Sequence, residues 1–310
     1  MSVTDLAIEV VSATKAYGAL VATKELSFTV DRGEVFGILG PNGAGKTTTV
    51  EMLEGYRFPD AGTIRVLGLD PKADADELHI RVGVMLQEGG LSPGLKVSET
   101  LRLYAGFYLS PDSPERLLDL VDLTESRNTT IRRLSGGQRQ RLSLALALVG
   151  KPEVVFLDEP TAGMDPRARL VTWEIIKNLR ASGVTVLLTT HAMDEAESLC
   201  DRVAILDQGS LVAIGSPHDL TSRAGGNETR FTAPPNLDRA NLAVALGLGA
   251  TFVREAKPGE YLIAAEPTPE LIALLALWLR DENAQLGTLE ASHRSLEEVF
   301  LRLTGEGDHS

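Results

Sequence analysis

Nine residues set the terms for this chain: Gly40-Pro41-Asn42-Gly43-Ala44-Gly45-Lys46-Thr47-Thr48. They follow an apolar run, Val35-Phe36-Gly37-Ile38-Leu39, and open a segment that reads as helix from Lys46 to Glu54. Strand, glycine-rich loop and helix in that order make a phosphate-binding loop, and the residues match G-x-x-x-x-G-K-[ST]. The glycines let the backbone fold back and aim its N–H groups into an anion-binding hollow. The helix start adds unpaired N–H donors and about half a positive charge. Lys46 is placed to reach the β- and γ-phosphates of a nucleotide, and Thr47 to offer a hydroxyl to Mg²⁺.

The rest of the composition narrows the field. A chain of 310 residues is long enough for two domains, and 43 % apolar residues supply an ordinary core. Thirty basic residues against 43 acidic ones leave a net charge of −13, which argues against a broad nucleic-acid surface but not against a local nucleotide site. The single cysteine, Cys200, excludes an internal disulfide and fits a reducing compartment. Met1 to Val10 carries Asp5 and Glu9 and no basic stretch, so no secretory leader is expected. The longest apolar runs, such as Leu271 to Leu279, are too short to span a bilayer. Any membrane role must come through a partner.

Taken in order, Leu6 to about Val30 alternates apolar and polar residues and reads as antiparallel strands, with Tyr17-Gly18 in the turn between them. Thr63 to Leu67 is a further short strand, and Arg81 to Leu86 is a strand ending at Gln87. From Ser98 to Leu120 the period becomes helical, broken at Ser110-Pro111-Asp112-Ser113-Pro114. This is a helical lobe, about residues 88–150, inserted into an α/β core. Val154 to Leu157 is a continuous apolar run, as in a strand buried on both faces, and ends in Asp158-Glu159-Pro160. Asp165-Pro166 starts a helix to about Ala181, and Val184 to Thr190 is another apolar strand, ending at His191. Composition changes near Arg223. The expected division is 1–223 for the first domain, 224–227 for a linker and 228–310 for a second domain. The second reads β-α-β-β-α-β, a ferredoxin-like order, with Ser295-Leu296-Glu297-Glu298 as a capping box opening a helical tail.

Gln87, Asp158-Glu159, His191 and the glycine-rich loop each follow the carboxyl end of an expected strand. In a parallel α/β sheet those ends share one edge, where ligands bind. Asp158 can hold Mg²⁺ opposite Thr47, and Glu159 is free to act as general base on an attacking water. His191 is either a structural histidine or a group that orients that water. Gln87 is either a loop residue or a Mg²⁺-sensing one. Tyr17 either stacks on a base or packs in its turn.

Leu134-Ser135-Gly136-Gly137-Gln138, at a helix start, forms a second anion site. With it the chain resembles an ATP-binding cassette (ABC) ATPase over about Leu6 to Leu220. Tyr17, Gly40 to Thr48, Gln87, Leu134 to Gln138, Asp158-Glu159, Ala162-Gly163-Met164-Asp165 and His191 stand in that family's order. The resemblance implies an α/β P-loop NTPase with an antiparallel β subdomain and an inserted helical subdomain. It implies ATP and Mg²⁺ as cofactors, with Thr47, Gln87 and Asp158 around the metal and Glu159 and His191 catalytic. It also implies a head-to-tail homodimer, in which Leu134 to Gln138 meet the ATP of the partner subunit and Asp165 communicates between the two sites. Met164 and Ala162 depart from the commonest residues of that communicating loop.

The second domain and its ending, Ser295 to Thr304, resemble the drug-resistance exporter subfamily, of which the daunorubicin/doxorubicin type is an example. That implies a separate transmembrane permease as partner, with its coupling helix received by the helical lobe, and a place on the cytoplasmic face of the membrane. The alternative is a soluble ABC ATPase of DNA repair, chromosome structure or translation. No long heptad insertion and no second cassette are present, and the acidic charge suits neither DNA nor ribosome. A non-catalytic ATP-binding regulator is disfavoured by the intact Glu159. The second domain serves either dimerisation and stability or regulation.

Overall fold

A computed structural model describes residues 6–85, 91–223, 228–265, 267–292 and 295–304. It divides into two compact units, Met1–Pro217 and His218–Ser310. The expected linker, 224–227, lies outside the described residues.

The first unit opens with two long antiparallel strands, β1 (Leu6–Tyr17) and β2 (Leu20–Asp31). Their alternation works as expected: Ile8 pairs with Val30 and Val10 with Phe28, and all four are buried. Next come β3 (Val35–Leu39), wholly buried, and α1 (Lys46–Leu53). β4 (Ala61–Val66) returns to pair with β1, giving a three-stranded sheet of order β2-β1-β4. α2 (Ala75–Arg81) leads into β5 (Val82–Met85). The helical lobe follows as α3 (Val97–Ala105), α4 (Pro114–Leu120) and α5 (Gly136–Leu148), which pack on one another. β6 (Val154–Asp158), α6 (Pro166–Ala181), β7 (Thr185–Thr190), α7 (Met193–Leu199), β8 (Arg202–Asp207) and β9 (Ser210–Gly215) complete the run, and α8 (Pro217–Arg223) starts on the last residue of this unit and belongs otherwise to the second.

The main sheet has the order β5-β6-β7-β3-β8-β9 and is parallel except for β9, which runs antiparallel to β8. One apolar cluster joins the two sheets through α1: Ile8, Leu26 and Phe28 from the first, Phe36, Ile38, Phe156 and Leu187 from the second, and Val50, Met52 and Leu53 between. Phe28 stacks on Phe36 with ring centroids 5.5 Å apart. Each such side chain contributes about 1.5–3 kcal/mol by leaving water, so the glycine-rich loop between β3 and α1 rests on a dense base.

Helix starts follow local chemistry. Ser113, Asp165 and Thr268 each cap a helix whose first residue is proline, their side-chain oxygens accepting from backbone N–H groups one turn in. Three short helices, α2, α7 and α8, escaped the period analysis, because seven residues make two turns and two turns barely separate a 3.6 period from noise. Arg81 belongs to the end of α2 rather than to the strand after it. Tyr17 closes β1 rather than sitting in the turn, which is Gly18-Ala19.

The second unit contains β10 (Glu228–Thr232), α9 (Arg239–Ala245), β11 (Val253–Lys257), β12 (Glu260–Ile263), α10 (Pro269–Asp281), β13 (Leu289–Ser292) and α11 (Leu296–Leu303). Its sheet is antiparallel in the order β11-β12-β10-β13, the split βαβ arrangement of a ferredoxin-like unit. It has its own core: Phe231 stacks on Tyr261 at 5.0 Å, and Leu242, Leu271, Leu275 and Trp278 close over them. The two buried polar tips are satisfied, Tyr261 Oη donating to the Pro234 carbonyl and Trp278 Nε1 to Asn241 Oδ1, each at 2.9 Å. Ser295 caps α11 by accepting from the Glu298 N–H at 3.3 Å.

Candidate functional site

Three neighbouring parallel strands deliver the site to one edge of the main sheet. β7 lies between β6 and β3, with Thr189 level with Asp158 and Thr190 level with Leu39. Asp158-Glu159, His191 and the glycine-rich loop therefore leave the sheet side by side, at the carboxyl ends of the strands. Gln87 lies outside the described residues.

The loop is held by close backbone contact. A side chain at Gly45, whose φ is +98°, would meet the Ala22 carbonyl oxygen at 2.4 Å, and one at Gly40 would meet the Leu206 carbonyl oxygen at 2.5 Å. No side chain caps α1 at Gly45, so its first N–H groups remain available to an anion. Lys46 folds back on its own loop, donating to the Gly40 and Pro41 carbonyls at 2.7 and 3.1 Å. Burial holds its ammonium below the usual lysine range, opposed by the charges of Glu159 and Asp158. Ala44 is buried beneath the loop, whereas Asn42, Gly43 and Thr47 are exposed.

A cleft of about 290 Å³ opens over this loop. Pro41, Asn42, Gly43, Gly45, Lys46, Thr47 and Thr48 form one wall, Tyr17 another, and Asp158 and Glu159 the end. Leu20 and Ala22 also line it; as apolar residues of a strand in the other sheet they carry no local sign of this role. The Tyr17 ring is half-exposed, with Lys15 Nζ 5.7 Å and Arg57 Cζ 5.8 Å from its centroid.

Thr189 organises the acid end. Its hydroxyl bonds Asp158 Oδ1 and also accepts from the Glu159 N–H at 3.1 Å. A threonine one step from the end of an apolar strand is a sequence signal for such a role. Glu159 sits in the left-handed region at φ +46°, a conformation that costs about 1–3 kcal/mol outside glycine. Its Oε1 lies 3.1 Å from His191 Nδ1. The carboxylate is mostly shielded, at 16 % exposed, while the imidazole is open.

The second anion site is built but stands apart. Ser135 caps α5, accepting from the Gln138 N–H at 3.2 Å while its own N–H donates to Gln138 Oε1 at 3.0 Å. Leu134 is buried and anchors the turn; Ser135 and Gly136 are exposed and Gly137 and Gln138 half-exposed. Among the described residues, none of Leu134 to Gln138 lines the cleft. Asp165 is exposed and caps α6, accepting from the Arg167 and Ala168 N–H groups at 3.0 Å.

The model of the ABC transporter family matches residues 23–162. The Nod factor export ATP-binding protein I of Ralstonia nicotianae is 41 % identical over 300 residues, covering 94 % of this chain and 91 % of the relative. The chain belongs to the ABC transporter ATP-binding proteins. The daunorubicin/doxorubicin resistance ATP-binding protein DrrA of Streptomyces peucetius is 37 % identical over 306 residues, 96 % of this chain and 92 % of that one. Among solved structures, a dimeric ATP-binding cassette in a post-hydrolysis state with ADP and Pi superposes with a TM-score of 0.62 at 26 % identity, covering 67 % of this chain and 98 % of that chain. An ATP-binding subunit of an ABC transporter gives 0.64 at 29 % identity, covering 70 % and 93 %. The cleft over Lys46 thus lies within the segment that the family model matches, apart from Tyr17, Leu20 and Ala22 just before it.

One buried acid near Asp158 carries no sign of its state in the sequence. Glu54, just past α1, is 4 % exposed, and burial, followed by the charges of Asp158 and Glu51, pushes its carboxyl up to about 8. The folded chain therefore keeps this proton between pH 4.5 and about 8 while the unfolded chain loses it, so its contribution to stability falls as pH rises through that window. The full loss across that window is on the order of 5 kcal/mol. Glu54→Gln should flatten the fall in melting temperature between pH 5.5 and 8.5; a variant with the wild-type slope would show that Glu54 is already ionised in the fold.

Proposed function

We propose that this ABC ATPase powers an exporter: it is the nucleotide-binding subunit that hydrolyses ATP for a separate transmembrane permease, moving a drug-like or lipid-like molecule outward. The observation that carries the reading is that the cleft has only one phosphate cradle while a second, Ser135 to Gln138, stands outside it on the same chain. Two chains arranged head to tail supply both cradles to each ATP. Relatives matched over more than nine-tenths of their length are a Nod factor export ATP-binding protein and a daunorubicin/doxorubicin resistance ATP-binding protein, which supports the direction.

In this scheme Tyr17 packs on the base, and the Gly40 to Thr48 backbone with Lys46 grips the phosphates. ATP frees Lys46 from the Gly40 and Pro41 carbonyls by offering a stronger, charged partner. The residues present suit a Mg²⁺ ion: Thr47 places a hydroxyl in the cleft, and Asp158 places a carboxylate at its end, one oxygen tied to Thr189. Gln87 joins them in this reading. Bound there with ATP, Mg²⁺ would neutralise charge on the β- and γ-phosphates. Glu159 takes the proton of the attacking water, and His191, 3.1 Å from it, fixes the carboxylate's orientation. Asp165 carries the state of one site to the other.

No helix among the described residues is long and apolar enough to cross a membrane, and we place the chain on the cytoplasmic face through its permease. Affinity purification of the full chain from detergent-solubilised membranes should recover a multi-span protein with it, and expression without that partner should leave the chain off the membrane. Recovery with DNA or ribosomes instead would favour the soluble ATPases of repair or translation.

A further inference from the structure

A second cavity, of about 190 Å³, also has Glu159 in its wall but none of the residues of the glycine-rich loop. Glu159 and His191 line it, and so does Glu195, an acid of α7 four residues after His191. Glu195 is 1 % exposed. A buried carboxylate must be paid for by donors, and this one has two. Thr161 Oγ1 donates to Glu195 Oε1 at 2.7 Å, and Trp173 Nε1 donates to the same oxygen at 3.1 Å. The Arg169 guanidinium lies over the Trp173 ring, 4.9 Å from its centroid, and lines the same cavity.

The identities of the donors matter. Thr161 opens the loop Ala162-Gly163-Met164-Asp165, two residues after Glu159. Asp165 ends that loop as the cap of α6, and Trp173 is on α6. One oxygen of Glu195 thus holds the communicating loop near its start and the helix that receives its end. Its own short helix begins directly behind His191. The loop and α6 meet at that one acceptor atom, and Glu159 and His191 line the same cavity.

We infer that Glu195 is a positioning residue for hydrolysis: by accepting from Thr161 and Trp173 it fixes the communicating loop against His191 and so sets the Glu159–His191 contact. The inference rests on the reading of Glu159 and His191 as the hydrolytic pair. Glu195 does not touch nucleotide, because the cleft over Lys46 and the cavity at Glu195 are separate and share only Glu159. What the role needs is an acceptor oxygen, not a negative charge, since both partners are neutral donors.

The test uses the full chain and steady-state ATP hydrolysis. Glu195→Ala should lower kcat about tenfold with KM for ATP unchanged, the effect of a misplaced rather than a missing catalytic group. Glu195→Gln retains an acceptor oxygen and should restore kcat to within about threefold of wild type. Thr161→Val removes one donor at nearly constant volume, and Trp173→Phe removes the other while keeping an aromatic ring; each should give an intermediate loss, which keeps the proposal testable if the alanine variant fails to fold. Glu159→Gln is run beside them. If it retains turnover, the hydrolytic pair is wrong whatever Glu195 does. If it is inactive while Glu195→Ala or both donor variants keep wild-type kcat, the positioning role is wrong. A glutamine variant as slow as alanine, or a rise in KM at constant kcat, also overturns it.

Discussion

Replacing Glu159 by glutamine lowers ATP turnover by about 10²–10⁴, the range a general base contributes, while ATP still binds. The geometry gives both halves of that result. Glutamine keeps the size and can keep the 3.1 Å contact to His191 Nδ1, but its amide cannot take a proton from water. In the proposed scheme Lys46 and the backbone of the loop grip the phosphates, and the substitution leaves both alone. Phosphate release under single-turnover conditions, beside equilibrium binding of a fluorescent ATP analogue, separates the two. Turnover near that of wild type would remove Glu159 from the role of base and return His191 to a structural one.

Ser135→Arg should abolish ATP-driven dimerisation. The clean background is Glu159→Gln, in which bound ATP should persist and a closed dimer should accumulate. With ATP that variant should elute as a dimer, and the double variant with Ser135→Arg as a monomer. Loss of a central contact of about 2 kcal/mol weakens association about 30-fold, and arginine adds bulk where the partner's phosphate must fit. Ser135 also caps α5, a role worth about 1 kcal/mol. Ser135→Asn therefore serves as the control, since it keeps a capping oxygen without the bulk. An unchanged dimer in the double variant would overturn the head-to-tail arrangement. So would a monomer that no longer binds ATP, because the cleft over Lys46 contains no part of Ser135 to Gln138 among the described residues.

Much of this site could be read before any coordinates. The loop Gly40 to Thr48 announces itself, because an anion hollow demands glycine where backbone meets backbone, as Gly45 does 2.4 Å from the Ala22 oxygen. Asp158, Glu159 and His191 were found by a topological rule: acids and a histidine at the ends of apolar strands must share an edge once the strands run parallel. The ferredoxin-like order of the second unit followed from counting elements. Capped helices with a first-position proline were legible for the same local reason.

Other features needed the fold. Leu20 and Ala22 line the cleft over Lys46 from the antiparallel sheet, and nothing in two apolar strand residues says so. Glu54 looks like any helical glutamate until burial beside Asp158 raises its carboxyl. Glu195 looks like one more acid in an acidic stretch, Asp194-Glu195-Ala196-Glu197, and becomes distinct only because Thr161 and Trp173 reach it across 34 and 22 residues of chain. The sequence by itself determined the local chemistry: which loop folds into an anion hollow, which strand ends carry acids, which turns start helices. Those depend on backbone dihedrals and on hydrogen bonds within a few residues. The tertiary structure decided what surrounds each group and so which acid is exposed, which is buried and which two loops one carboxylate holds together. Burial and long-range acceptor geometry are properties of packing, and packing is set by residues far apart in the chain.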